Sequence, residues 1–232
     1  MSDVYFLTPT GNRHEGMALL AEYVSAQTYK GPATWIIVDD CDPETDVPVV
    51  GDNIKVEVVR PPWRWKQGGN TQQKCMTAGL ERVPDEALLI ILEDDDCYLP
   101  GYVETMLEAL ERAELVGERT SRYYTVATGR FKRIPGAKHA SLAATALRGA
   151  ALGILRNICA LGRDRFIDIA LWRSSPGLLL DSENVVSIKG LPGRLGIGVG
   201  HRNNFGDVDR SGILEQWAGE YAPNYDMFRR AS

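Results

Sequence analysis

From Ala87 to Asp96 the chain reads ALLIILEDDD, six apolar residues running without a break into four acids. A continuous apolar run of this length ending in a charged loop reads as a strand buried on both faces. Such strands belong to sheets covered by helices on either side, and ligands bind there beyond the carboxyl ends of the strands. Neighbouring carboxylates repel one another, more so when partly withdrawn from water. A positive partner is therefore expected at the end of this strand.

The rest of the first half agrees. Val4–Thr8 is a short β-rich run, followed by TPTGNR with Pro9 and Gly11 as breakers. The segment from His14 to Ala26 carries Met17, Leu20, Tyr23 and Val24 at helical spacing. ATWIIVDD predicts a second strand ending in Asp39 and Asp40, and NIKVEVVR alternates at period two as a third. A helix is expected from about Thr71 to Arg82. Another follows Pro100, with Val103, Met106, Leu107 and Leu110 on one face. Three of the four strands end in distinctive polar loops, which a mostly parallel sheet would gather along one edge. In the second half, YYTVATGRF predicts a strand and residues 139–161 a small-residue-rich helix. RDRFIDIALWRSS predicts a further helix, and SENVVSIKG a strand leading into a glycine-rich loop. The tail from Asp207 spaces Trp217, Tyr221 and Tyr225 helically. With no internal repeat or low-complexity linker, the 232 residues predict one compact domain.

Charge divides the chain. Residues 1–118 carry a net −13, residues 119–173 a net +9 and the remainder −1. Such asymmetry predicts two surfaces with different partners. The cysteines Cys41, Cys75, Cys97 and Cys159 form no C-x-x-C pair, so zinc and a disulfide framework are not expected, and a reducing cytoplasm is. No apolar run is long enough to span a membrane, and the N-terminus lacks the pattern of a signal peptide.

Within the acids, Asp94 and Asp96 form D-x-D while Glu93 and Asp95 form E-x-D. Residues i and i+2 of an extended segment face the same way, so either pair can present two carboxylates to one cation. Mg2+ and Mn2+ prefer oxygen ligands, and Mg2+ is commonly held by one or two carboxylates plus substrate phosphates. The bland alternative is a solvated acidic turn leading into the next helix. Asp39 or Asp40 at the second strand end suits a ribose hydroxyl pair or a base N–H. TPTGN has neither the spacing of a P-loop nor G-x-G-x-x-G.

TPTGNR after the first strand, VDD after the second and LEDDDCYLPGYV after the fourth together resemble a GT-A-fold glycosyltransferase of the family 2 type. The resemblance covers residues 3–110 well and the remainder loosely. It implies an α/β, Rossmann-like, mostly parallel sheet flanked by helices, with residues 1–118 as the nucleotide-sugar-binding half and 119–232 as the acceptor-binding half. It further implies that Thr8, Pro9, Thr10 and Arg13 of the first loop, with Asp39 or Asp40, bind a nucleotide-sugar donor, UDP being the default nucleotide. Asp94, Asp95 and Asp96 would meet the diphosphate and its Mn2+ or Mg2+, with Asp94 and Asp96 as ligands. His201, in a glycine-rich loop, would add a third ligand. The helix that in this family often supplies an arginine to the diphosphate reads KCMTAGL here, leaving Lys74 in its place. A general base is expected among the acids of GRDRFIDIALW, Asp164 or Asp168, with pairing to nearby arginines as the structural alternative.

The basic block, mostly arginine, suits phosphate recognition. It suggests a polyanionic acceptor such as hydroxymethylated bases in bacteriophage DNA, with Trp63, Trp65, Tyr123, Tyr124, Phe131 and Trp172 available to stack on an exposed base. A protein or saccharide acceptor, a sugar nucleotidyltransferase and a non-catalytic binding module are the competing readings.

Overall fold

The structure is a computed structural model that describes residues 3–66, 69–136, 138–162, 165–193 and 205–229. Two sheets make its frame. The larger holds β1 (Val4–Thr10), β2 (Ala33–Asp39), β3 (Ile54–Val59), β4 (Leu88–Ile91), β6 (Leu115–Glu118), β9 (Thr145–Leu147) and β10 (Leu178–Leu180), in the order β10-β6-β9-β4-β1-β2-β3. All its pairings are parallel except those of β9, which runs antiparallel to both β4 and β6. The smaller holds β5 (Asp96–Tyr98), β7 (Thr120–Thr125), β8 (Arg130–Pro135), β11 (Val185–Lys189) and β12 (Asp207–Val208), in the order β12-β8-β7-β11-β5.

The mostly parallel sheet flanked by helices is the expected architecture. Adjacent residues along each strand face opposite sides. Phe6, Trp35, Ile37 and Ile90 point into a core shared with α1 (His14–Ser25) and α3 (Tyr102–Leu110). Leu7, Ile36, Val38, Leu89 and Ile91 point into a second core under α2 (Gln72–Leu80), α4 (Gly149–Ala160) and α5 (Ile167–Ser174). Burial on both faces is why these strands read as unbroken apolar runs.

The two sequence halves exchange strands. β5 belongs to the first 118 residues and joins the small sheet, while β9 and β10 come from the second half and complete the large one. The chain leaves the large sheet at Ile91 and enters the small one at Asp96, so the acids occupy the crossing between them.

Several expectations are corrected. β1 runs two residues further than predicted, pairing Pro9 with Val38 and Thr10 with Asp39. Its pairing with β4 stops at Leu7, so Pro9 is not asked for a donor on that side. Residues 139–161 are not one helix. A 3-10 turn at Leu142–Ala144 leads into β9, and α4 starts only at Gly149, whose φ of 54° no L-residue adopts easily. YYTVATGRF is a hairpin, β7 with β8, not a single strand. α5 begins at Ile167, after Phe166 at φ 55°, so the helix expected over RDRFIDIALWRSS starts later than predicted, with Asp168 in its first turn. The tail folds as α6 (Ile213–Ala218) and a 3-10 segment, Gly219–Phe228, whose Tyr225 hydroxyl meets that of Tyr23 at 2.7 Å. All four cysteines are free and buried. No helix among the described residues is long and apolar enough to cross a membrane.

Candidate active site

The carboxyl ends of β1, β2 and β4 deliver Thr10, Asp39–Asp40 and the acids to one edge. Asp94, Asp95 and Asp96 are 2%, 5% and 2% exposed. Charges buried this deeply are tolerated only when paired and hydrogen-bonded. The pairing is supplied from three directions. Thr10, ending β1, donates its hydroxyl to Asp94 Oδ2 at 2.7 Å. Arg13, at the entry to α1, donates Nη1 to Asp94 Oδ1 at 2.6 Å and lies 3.2 Å from Asp95 Oδ1. Lys189, ending β11, places Nζ 3.0 Å from both Asp95 Oδ2 and Asp96 Oδ1. Ser187, two residues earlier on the same face of β11, donates to Asp96 Oδ2 at 3.0 Å. Gln72, opening α2, donates Nε2 to Glu93 Oε1 at 2.8 Å.

Electrostatics follow from this packing. Burial, then the neighbouring Asp96 and Asp95, pushes the Glu93 carboxyl up to about 8, against Lys189 and Arg13. Burial likewise lifts Asp96 to about 6, although Lys189 pulls the other way. Burial works to lower the pKa of Arg13 and of Lys189. The carboxylates outweigh it and raise both, so each remains a cation. Among the described residues, the four acids face two cations, Arg13 and Lys189.

One oxygen each from Glu93, Asp95 and Asp96 lie within 4.8 Å of one another. Ligand oxygens on an octahedral ion at about 2.1 Å stand roughly 3 to 4.2 Å apart, so this all-oxygen set fits Mg2+ or Mn2+ after a small contraction. The geometric group includes Asp96 as expected. Its other members are Glu93 and Asp95, whereas Asp94, the other expected ligand, is engaged by Thr10 and Arg13. His201 and Asp164 lie outside the described residues.

The two acids of β2 differ. Asp39 accepts from the Cys41 and Thr45 amides at 3.0 and 2.9 Å, which ties down the following loop. Asp40 is fully buried, and among the described residues its side chain takes only the Cys75 thiol, at 3.3 Å from Oδ2. Its Oδ1 has no hydrogen-bond partner among the described residues. A buried carboxylate oxygen without a donor is costly, and Asp40 is thus the more available of the pair. Thr8 does not line the edge, because its hydroxyl accepts from Trp35 Nε1 inside the core. Lys74 is exposed on α2 and lines a cavity of about 510 Å³ with Arg60, Trp63 and Arg82, a cavity that none of the four acids lines. Asp168 is half-buried in the first turn of α5, and burial raises its carboxyl. It lies within Coulombic reach of Tyr123, which in turn feels Lys189 and Asp96, so the α5 start faces the acid cluster across Tyr123.

Lys189, Ser187 and Gln72 had no motif to announce them. A lysine closing an apolar strand just before glycine has the same placement as the acids that close β2 and β4, and that placement was the available signal.

A model of the glycosyl transferase family 2 matches residues 6–166, and the chain belongs to that family. Its fold is the GT-A fold. No curated protein matches it in sequence. Among solved structures it is similar to S. aureus TarS 1-349 in complex with UDP-GlcNAc, with a TM-score of 0.56 at 12% identity over 84% of this chain and 59% of that one. The complex of TarS 1-349 with UDP gives 0.55 at 12% identity, over 80% and 60%. S. aureus TarS itself gives 0.53 at 12% identity, and this chain spans only 36% of it. Family membership sets aside the nucleotidyltransferase reading.

Proposed function

We propose that this glycosyltransferase moves a sugar from a nucleotide diphosphate donor, a UDP-sugar by preference, to a hydroxyl acceptor with inversion at the anomeric carbon. The observation carrying this reading is the convergence of Glu93, Asp95 and Asp96 at the sheet edge that also carries Asp40, whose Oδ1 lacks a donor among the described residues. The similar TarS structures hold UDP-GlcNAc or UDP, which supports a uridine nucleotide. Asp40 is suited to accept from the base or ribose, while Thr10 and Arg13 fix Asp94. Glu93, Asp95 and Asp96 would hold Mn2+ or Mg2+, with His201 as a further candidate. When bound, that ion supplies neutralising charge to the departing diphosphate. Asp168 serves as the base that takes the acceptor proton, its raised carboxyl being closer to neutrality and so a better match for that role. Asp164 is the other candidate base.

For the acceptor, we favour hydroxymethylated pyrimidine in DNA, because exposed Arg165 and Arg173 stand at the two ends of α5 in sequence and exposed Lys138 adjoins His139, which lies within Coulombic reach of Asp168. A specific observation favours a second reading, a saccharide or protein hydroxyl. Arg119, Arg133 and Arg156 of the basic block are engaged by Asp181, Glu183 and Asp85, and Arg122 by the Glu183 carbonyl. The protein is incubated with a panel of nucleotide sugars and Mn2+, with and without hydroxymethylated DNA, and read by mass spectrometry. DNA binding that is flat in salt, or absent, removes the DNA acceptor. Loss of donor turnover on chelation is expected, and full turnover without metal would refute the ion's role.

A further inference from the structure

The Lys189 ammonium lies among the same oxygens that would bind a cation. It contacts two of the three members of the candidate metal group, Asp95 and Asp96, at 3.0 Å each, and its side chain is 5% exposed. A residue so buried, on a strand pinned to β5 by the pairs Ser187–Asp96 and Val186–Cys97, is held there by design of the backbone and not by chance encounter. Arg13 occupies the opposite side of Asp95, so that carboxylate bridges two fixed cations.

We propose that Lys189 is a tethered counter-ion seated in the divalent-cation position. In the donor-free protein its ammonium keeps Asp95 and Asp96 together. For the ion to coordinate both carboxylates, the ammonium must leave them, since a monocation and a dication cannot share two oxygens at contact distance without strong repulsion. The released ammonium, on a flexible four-carbon stem, is then available to the phosphate oxygens that arrive with the nucleotide. Metal and nucleotide therefore bind as a pair: the ion alone displaces a bound lysine without compensation, whereas the nucleotide gives that lysine a new partner. This inference rests on the metal reading above and adds to it a positioning residue.

The test is Mn2+ binding, measured by electron paramagnetic resonance of the free ion on wild type and Lys189→Met without nucleotide. Lys189→Met should bind Mn2+ about tenfold more tightly or better, because one competing charge is gone. Lys189→Arg, which keeps the cation, should not. Adding UDP should tighten Mn2+ binding more in wild type than in Lys189→Met. Equal or weaker Mn2+ affinity in Lys189→Met would overturn the inference alone. No Mn2+ binding by either protein, with or without UDP, would overturn the metal reading and the inference together. Should Lys189→Met not fold, wild type labelled with 13C-lysine decides: the Lys189 ε-methylene resonance must move when Mg2+ is added. An unmoved resonance at saturating Mg2+ rejects the displacement.

Discussion

Gly16 lies in the first turn of α1 with the acid segment against it. A Cβ added there would stand 2.4 Å from the backbone oxygen of Asp94 and 3.4 Å from its carbonyl carbon. Carbon–oxygen contacts settle at about 3.3 Å, so Gly16→Ala requires the helix and the acid strand to part by about 0.9 Å. Alanine gains at most about 1 kcal/mol of helix propensity over glycine. Overpacking against backbone costs about 1–3 kcal/mol. The net is a loss of roughly 0–2 kcal/mol, or up to about 8 °C in Tm for a chain of this size. The larger effect falls on function, because a displacement of about 1 Å of positioned groups can cost on the order of 100-fold in rate. Gly153 in α4 provides the control: an added Cβ there meets nothing within 4 Å. Gly153→Ala should therefore raise stability by about 1 kcal/mol, or about 2–4 °C, with turnover intact. Thermal unfolding and Mn2+-dependent UDP-sugar turnover are measured on both variants. If Gly16→Ala melts as high as Gly153→Ala and turns over donor normally, α1 is not seated against the acid strand as described.

Arg13→Met should destabilise the fold by about 3–5 kcal/mol, since it strands Asp94 and Asp95 without their shared cation; urea unfolding checks it. Asp40→Asn should weaken donor binding while leaving Mn2+ binding in place, seen as a raised KM for the nucleotide sugar. Asp168→Asn should abolish transfer yet spare slow donor hydrolysis by water, and equal loss of both would remove it as the base. Glu118 is buried, and desolvation pushes its carboxyl from 4.5 to about 7, against hydrogen bonds from the Asn184 and Val185 amides. The folded state then holds the proton more tightly, so this group's stabilisation is full below about pH 4.5 and is lost as pH rises to about 7. The change amounts to about 3 kcal/mol. Denaturant midpoints at pH 5 and 8 should converge in Glu118→Gln relative to wild type, and an unchanged gap would refute the assignment.

Much of the large sheet could be read from residues because its strands are buried on both faces. ATWIIVD and LLII are short, continuous apolar runs, too short for a helix, and each leads into acids that need partners. The small sheet was harder to see. β5 is only Asp96–Tyr98, and its first residue is one of the acids, so strand and site overlap at Asp96. β9 is the tripeptide Thr-Ala-Leu among alanines, whose propensity favours helix, and tertiary pairing with β4 and β6 overrides it. At the site, the paired acids were legible from their i, i+2 spacing, and Arg13 from the resemblance of TPTGNR to the family's first loop. The partner of Asp95 and Asp96 was not, because it comes from a strand 93 residues away from Asp96, and such a contact leaves no local pattern.

The crossing from Ile91 to Asp96 also gives the charge cluster a mechanical character. Thr10 ties the acids to the large sheet and Ser187 and Lys189 tie them to the small one, so the cluster behaves as a joint between two plates. Whatever draws Asp95 and Asp96 inward tightens that joint and resists sliding of one plate over the other. Occupancy by nucleotide should accordingly be felt as slower amide exchange along the β7–β8 hairpin, a part of the protein joined to it through β11.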